Sequence, residues 1–137
     1  MTKAIGVLLI AHAPLASAFV RAAGDIGLPV ARLAALDITT DMSREQASAA
    51  ARMLLADLQC DHCLVLTDLG GCCSPVTVAQ QLRDASGAEV RIVTGLNMPM
   101  LATALCDASR EVDALAGYIA ERGADGISAL LATPVLT

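Results

Sequence analysis

Short, nearly continuous apolar runs alternate along this chain with longer segments in which apolar residues recur every three or four positions. The runs at residues 4–11, 32–38, 62–68 and 90–94 have strand length, and the first and third are almost unbroken in apolar residues, as strands covered on both faces are. Behind the first run, Leu15, Ala18, Phe19, Ala22, Ala23 and Ile26 fall at i, i+3, i+4, i+7, i+8 and i+11, which is one face of a helix opened by Pro14. The second helix has a start signal and a stripe: Ser43 with Gln46 is a capping-box pair, and Ala47, Ala50, Ala51, Leu54, Leu55 and Leu58 line its buried face. Ser74 as N-cap and Pro75 at the first helical position predict a third helix to about Ala85, and Asn97 predicts the cap of a fourth carrying Leu101, Ala104 and Leu105. A fifth helix is expected from about Ser109. Beyond Asp125 the pattern weakens: Ile127, Leu130 and Leu131 are consistent with further helix, and 134–137 with a short extended tail. Strands alternating with helices in this way are βα units around a parallel sheet, an α/β fold.

Composition narrows the class. With 137 residues, 55% of them hydrophobic, the chain is expected to form one domain over 1–137 with a single core. Phe19 and Tyr118 are its only aromatic residues, so that core is built from Leu, Val, Ile and Ala packed between layers. Nine Lys and Arg against fourteen Asp and Glu, a net charge of -5, argue against a nucleic-acid partner, because phosphate affinity depends on cations. No run approaches the ~18 to 20 apolar residues of a membrane span. The stretch from Lys3 to Ala13 has a faint look of a secretory leader, but it is short and its removal would delete a strand, so it is expected to stay. Five cysteines, an odd number, disfavour a disulfide framework and suit a reducing, cytoplasmic setting.

Ligands of open parallel sheets lie beyond the carboxyl ends of the strands. At those ends stand His12, then Asp68 with Gly70, Gly71, Cys72, Cys73 and Ser74, and lastly Gly95, Asn97 and Pro99. If the first and third strands are neighbours, these groups converge. A histidine where a strand passes into a helix can face solvent while helical N–H groups point nearby, a setting suited to an imidazole that holds a phosphoryl group, although such a residue can also merely end a strand. Asp68 gives His12 a direction: a carboxylate on Nδ1 fixes the tautomer and leaves Nε2 as a nucleophilic lone pair. Gly70 and Gly71 before a Ser-Pro helix start let the backbone approach an anion closely. Neither a Gly-Lys-Ser/Thr phosphate loop nor a G-x-G-x-x-G fingerprint is present.

Cys60, His62, Cys63, Cys72 and Cys73 are metal-ligating residue types, but a strand over 62–68 at ~3.3 Å per residue puts the two groups about 20 Å apart, so no metal is expected. Cys60 and Cys63 precede a strand rather than opening a helix, which sets them apart from a thioredoxin-type pair.

Three stretches together carry a resemblance: 6–12 (Gly-Val-Leu-Leu-Ile-Ala-His), 64–68 (Leu-Val-Leu-Thr-Asp) and 94–101 (Thr-Gly-Leu-Asn-Met-Pro-Met-Leu). With them the chain resembles, along nearly its whole length, the mannose-type enzyme IIA domains of the phosphoenolpyruvate-dependent sugar phosphotransferase system. That resemblance implies a doubly wound three-layer sandwich with a mainly parallel sheet in order 2-1-3-4, a homodimer, in a family whose dimers exchange a strand between subunits, and Asp68 placed against His12. It implies a phosphotransferase component in which a phosphohistidine is received from the carrier protein HPr and passed to an enzyme IIB partner. The chain departs from the family pattern in three places. Ala11 and Ala13 flank the histidine instead of Thr or Ser and Gly, Cys72 and Cys73 lengthen the turn after Asp68 by one residue, and Thr77 replaces a common Asn.

The expected function is therefore phosphoryl transfer by in-line attack of His12 Nε2, with Asp68 stabilising the cationic ring. Backbone groups of Ala13, Gly71, Cys72, Cys73 and Ser74 would bind the phosphoryl oxygens, and Asn97 and Pro99 would face the partner proteins. No cofactor is called for. Two alternatives share the histidine: the phosphocarrier subunit of a dihydroxyacetone kinase, and a regulatory binding module switched by phosphorylation of His12.

Overall fold

The computed structural model describes residues 5–71, 73–107 and 110–130. Its elements run β1 (Ile5–His12), α1 (Leu15–Asp25), β2 (Leu33–Ile38), α2 (Arg44–Leu58), β3 (His62–Thr67), α3 (Ser74–Ala85), β4 (Glu89–Thr94), α4 (Met98–Cys106) and α5 (Val112–Asp125). The four strands form one parallel sheet in the order β2-β1-β3-β4, as the resemblance implies. α1, α4 and α5 cover one face and α2 and α3 the other, giving three layers.

The sheet is held by a period of two in its central strands. Ile5, Val7, Leu9 and Ala11 of β1 and Leu64 and Leu66 of β3 pack against α1, α4 and α5. Leu8 and Ile10 with Cys63 and Val65 pack against α2 and α3. Each large side chain so removed from water contributes about 1.5–3 kcal/mol, which is why β1 and β3 need no polar face. β2 and β4 lie at the edges and are only half-buried along most of their length. The capping box of α2 is present: Ser43 Oγ accepts from Gln46 N–H at 3.0 Å, and Gln46 Oε1 accepts from Ser43 N–H at 2.9 Å.

Three expectations are corrected by packing. α3 takes Cys73 as its N-cap, because the first helical bond runs from Thr77 N–H to the Cys73 carbonyl (3.2 Å); Ser74 and Pro75 are then its first two residues, and no side chain caps it. A proline is tolerated anywhere in that first turn, since its missing N–H has no helical acceptor there. α5 starts at Val112 rather than near Ser109, which lies outside the described residues. It also stops at Asp125: Gly126 is the C-cap with the Pro99 ring against it, and Ile127 and Leu130 are irregular and 76% and 91% exposed. Leu131 and 134–137 lie outside the described residues.

One glycine is fixed by close approach. Gly6 pairs with Cys63 across β1 and β3, and a Cβ at Gly6 would lie 2.6 Å from Cys60 Sγ and 3.3 Å from Leu58 Cδ1. Both neighbours are short and packed, so Gly6→Ala is expected to destabilise the protein by about 1–3 kcal/mol, as overpacking of a filled interior does. Urea unfolding checks this, with the midpoint lowered and the slope unchanged.

Candidate active site

His12 is the last residue of β1, and β3 beside it ends at Thr67, so the next residue, Asp68, reaches across to it. Asp68 Oδ2 lies 2.8 Å from His12 Nδ1 and accepts from the His12 backbone N–H at 3.1 Å; its Oδ1 accepts from Leu69 N–H at 3.0 Å. Three donors thus converge on one carboxylate. A carboxylate has no proton to give, so Nδ1 carries the hydrogen and Nε2 keeps its lone pair. The imidazole is 46% exposed and the carboxyl only 12%, which leaves the ring open to a large reactant while its anchor stays shielded.

Burial works against ionisation of Asp68, but the bonds from the His12 ring, the His12 N–H and the Leu69 N–H outweigh it, and the carboxyl is held below its ordinary value of 3.8. A depressed carboxyl stabilises the fold fully above 3.8 and loses that contribution as pH falls through 3.8 and on past its folded value. Unfolding midpoints in urea should therefore drop on acidification below 3.8, and the drop should be smaller in Asp68→Asn.

The turn after His12 is tied to β2 rather than left free. Ala13 N–H donates to the Ile38 carbonyl (3.0 Å), so this residue, expected in the phosphate cradle, has its N–H already engaged. Asp37 was not singled out from the sequence, yet it fastens the start of α1: its Oδ1 accepts from Ser17 N–H at 3.1 Å and its Oδ2 from the Ser17 hydroxyl at 2.5 Å. Pro14 at the N-cap has no side chain able to cap, and Asp37 does so from the neighbouring strand. The one signal for it was a lone carboxylate in the otherwise apolar run 33–38.

On the other side of His12, Gly71 adopts φ +89°, a left-handed conformation that a glycine enters without strain. Cys73 Sγ turns inward to the Leu69 carbonyl (3.3 Å), and Ser74 is exposed at the head of α3. Cys72 lies outside the described residues. The N–H groups of Ser74 and Val76 belong to the first turn of α3 and those of Leu15 and Ala16 to the first turn of α1, so two helix starts flank the histidine.

Asn97 and Pro99 stand at the end of β4 as expected, but Asn97 is engaged within the fold. Its Oδ1 caps α4 by accepting from Met100 N–H (3.0 Å), and its Nδ2 donates to the Gly123 carbonyl of α5 (3.1 Å). Pro99 is exposed, with one side against Gly126. Among the described residues, no group of three or more His, Cys, Asp or Glu side chains is arranged to hold a metal ion, and no helix is long and apolar enough to cross a membrane.

Residues 6–120 match the family described as PTS system fructose IIA component. Solved structures resemble the fold closely. The mannose/sorbose specific IIA subunit of the phosphotransferase system from Enterococcus faecalis is 25% identical with a TM-score of 0.83, over 98% of this chain and 99% of that one. The phosphotransferase system component EIIA from Streptococcus agalactiae is 23% identical with a TM-score of 0.82, over 91% and 96%. The PTS IIA protein associated with the fucose utilization operon of Streptococcus pneumoniae is 22% identical with a TM-score of 0.77, over 93% and 94%. No curated protein matches the chain.

Proposed function

The chain belongs to the PTS system fructose IIA component family, and from that premise we propose that it is a phosphocarrier in which His12 takes a phosphoryl group from an HPr-like phosphohistidine and passes it to an enzyme IIB-like acceptor. The observation that carries this reading is the 2.8 Å contact between Asp68 and Nδ1 of a ring that is 46% exposed. It supplies a nucleophile of fixed tautomer on a surface two proteins can share.

The reaction follows from the charges. Nε2 attacks phosphorus as the N–P bond of the donor breaks on the opposite side, and the donor imidazole leaves with the electron pair of that bond. Once Nε2 is phosphorylated, Nδ1–H remains and the ring is cationic, which the Asp68 carboxylate at 2.8 Å stabilises. The phosphoryl oxygens carry most of the charge in flight. We assign them to the backbone around Gly71 and Ser74 and to the first turn of α1, where N–H groups and a helix dipole are available to an anion at each helix start. Transfer onward reverses these steps with the acceptor nucleophile in the donor's place. We place the carrier in the cytoplasm, as one domain working as a homodimer, in keeping with its family resemblance.

Incubation with phosphoenolpyruvate and the general phosphotransferase components tests the reading. The expected product is one acid-labile, base-stable phosphate per chain, chased off by an enzyme IIB domain of the mannose class. Absence of any labelled chain under conditions that label HPr would end the phosphocarrier reading.

A further inference from the structure

At the end of the sheet remote from His12, where α2 runs into β3, two cysteines are built into a single unit. α2 closes on Gln59 in the left-handed conformation (φ 51°), which turns the chain back so that Cys60 lies over β1. Its Sγ occupies the notch left by Gly6, at only 2.6 Å from where a Cβ would stand. Gly6 is also the register partner of Cys63, whose side chain packs on the α2 and α3 face of the sheet, the same side against which Cys60 rests. The missing side chain at position 6 thus lets Cys60 and Cys63 approach each other over the same residue of β1.

The two differ in access. Cys63 is fully buried, whereas Cys60 is half-buried and lines a shallow cavity of about 400 Å³ with Arg52, Gln59, Asp61 and Ser86. One cysteine borders the cavity and the other lies behind it. That is the arrangement of an attacking and a resolving cysteine.

We propose that Cys60 and Cys63 are a peroxide-oxidisable pair that closes to an intramolecular disulfide. Cys60 thiolate attacks one oxygen of hydrogen peroxide, the O–O bond breaks, and hydroxide leaves and is protonated, giving a sulfenic acid on Cys60. The Cys63 sulfur then attacks Cys60 Sγ, its proton goes to the departing hydroxide, and water is released. Two thiols lose two electrons and two protons in all, and one peroxide is reduced to two waters.

The chemistry of the cleft favours this order. The neighbouring Cys63, with the Gly6 backbone and the Arg32 charge, outweighs burial and holds the Cys60 thiol below its ordinary value of 9.0, which favours the thiolate on the outer cysteine. The same proximity and deeper burial raise Cys63, which stays protonated until it resolves the sulfenic acid. These groups do what a helix N-terminus does for a thioredoxin-type pair, and they do it at the start of a strand. The pair stands apart from His12, so it holds or fails independently of the phosphocarrier reading.

Peptide mapping tests the proposal on the intact chain. Reduced protein is treated with equimolar hydrogen peroxide at neutral pH, alkylated, and cleaved on the N-terminal side of aspartate, which separates residues 57–60 from 61–67. The expected result is a 57–60/61–67 disulfide-linked pair that a reductant dissolves, with Cys106 still alkylated. Cys63→Ser should instead leave a sulfenic acid on Cys60 that dimedone traps, and Cys60→Ser should leave Cys63 a thiol. Recovery of both peptides alkylated, or linkage of Cys60 to a different cysteine, overturns the proposal, and the wild-type map decides this without any variant.

Discussion

His12→Ala is expected to abolish phosphoryl acceptance while leaving the fold almost untouched. The rate should fall by on the order of 10⁴-fold or more, the scale seen when a nucleophile is removed from a preorganised site. No second imidazole can take over. The only other histidine, His62, stands at the start of β3 at the opposite end of the sheet, with its Nδ1 buried and 3.5 Å from Glu89. The fold should tolerate the change because the His12 ring is 46% exposed and Asp68, deprived of it, still accepts from two backbone N–H groups. A stability change under about 1 kcal/mol is expected, as for surface substitutions that leave no buried group unpaired. Labelling from phosphoenolpyruvate, beside a thermal melt, checks both halves. Acid-labile phosphate persisting in the folded variant would move the acceptor away from His12.

The strands were legible at the centre and at the edges of the sheet alike. β1 and β3 are covered on both faces, so their sequences are unbroken apolar runs and could be read within a residue. The edge strands lack that signature, since β2 and β4 keep Arg32, Asp37, Glu89 and Arg91 in or beside them, yet their bounds too were legible within a residue. Helix stripes and the Ser43/Gln46 box were local and were legible for that reason. What escaped was tertiary. Nothing near Ala13 in sequence indicates that its N–H is taken by Ile38, and the pairing of Asp37 with Ser17 spans twenty residues and two elements. Asn97 reads as a helix cap, which it is, but its second bond to Gly123 depends on where α5 lies. The start of α3 was misjudged by one residue because Ser-Pro is a good local start, whereas Cys73, its thiol drawn to the Leu69 carbonyl, takes the cap in the folded turn. The His12 and Asp68 pair itself was legible because each ends an apolar strand, and adjacency of those strands was enough to join them.

Asp68→Asn should weaken both tasks assigned to this carboxylate, setting the tautomer and stabilising the cation. Both oxygens accept: Oδ2 from the His12 ring and backbone, Oδ1 from Leu69 N–H. An asparagine has one oxygen, so either orientation turns its NH₂ toward an N–H. With the amide oxygen kept at His12, Nδ1–H still has an acceptor and Nε2 its lone pair, but the NH₂ faces Leu69 and the anion is gone. With the amide reversed, the NH₂ repels the His12 backbone N–H and donates to Nδ1 of the other tautomer, which puts the hydrogen on Nε2 and removes the nucleophile. Each orientation repels one backbone N–H, so both tautomers are expected and only part of the variant presents a bare Nε2. It should therefore accept phosphate, only slowly: losing the charge-assisted bond and the ring's alignment is expected to lower the second-order rate by about 100-fold. Asp68→Ala, which removes the acceptor as well, should be slower still. Quench-flow labelling by phosphorylated HPr at several donor concentrations measures this, because an effect on chemistry lowers the plateau rate whereas damage to docking raises the half-saturating concentration. A wild-type plateau in Asp68→Asn would show that the carboxylate neither orients nor neutralises the ring, and the exposed histidine would then stand without the partner on which its assigned role depends.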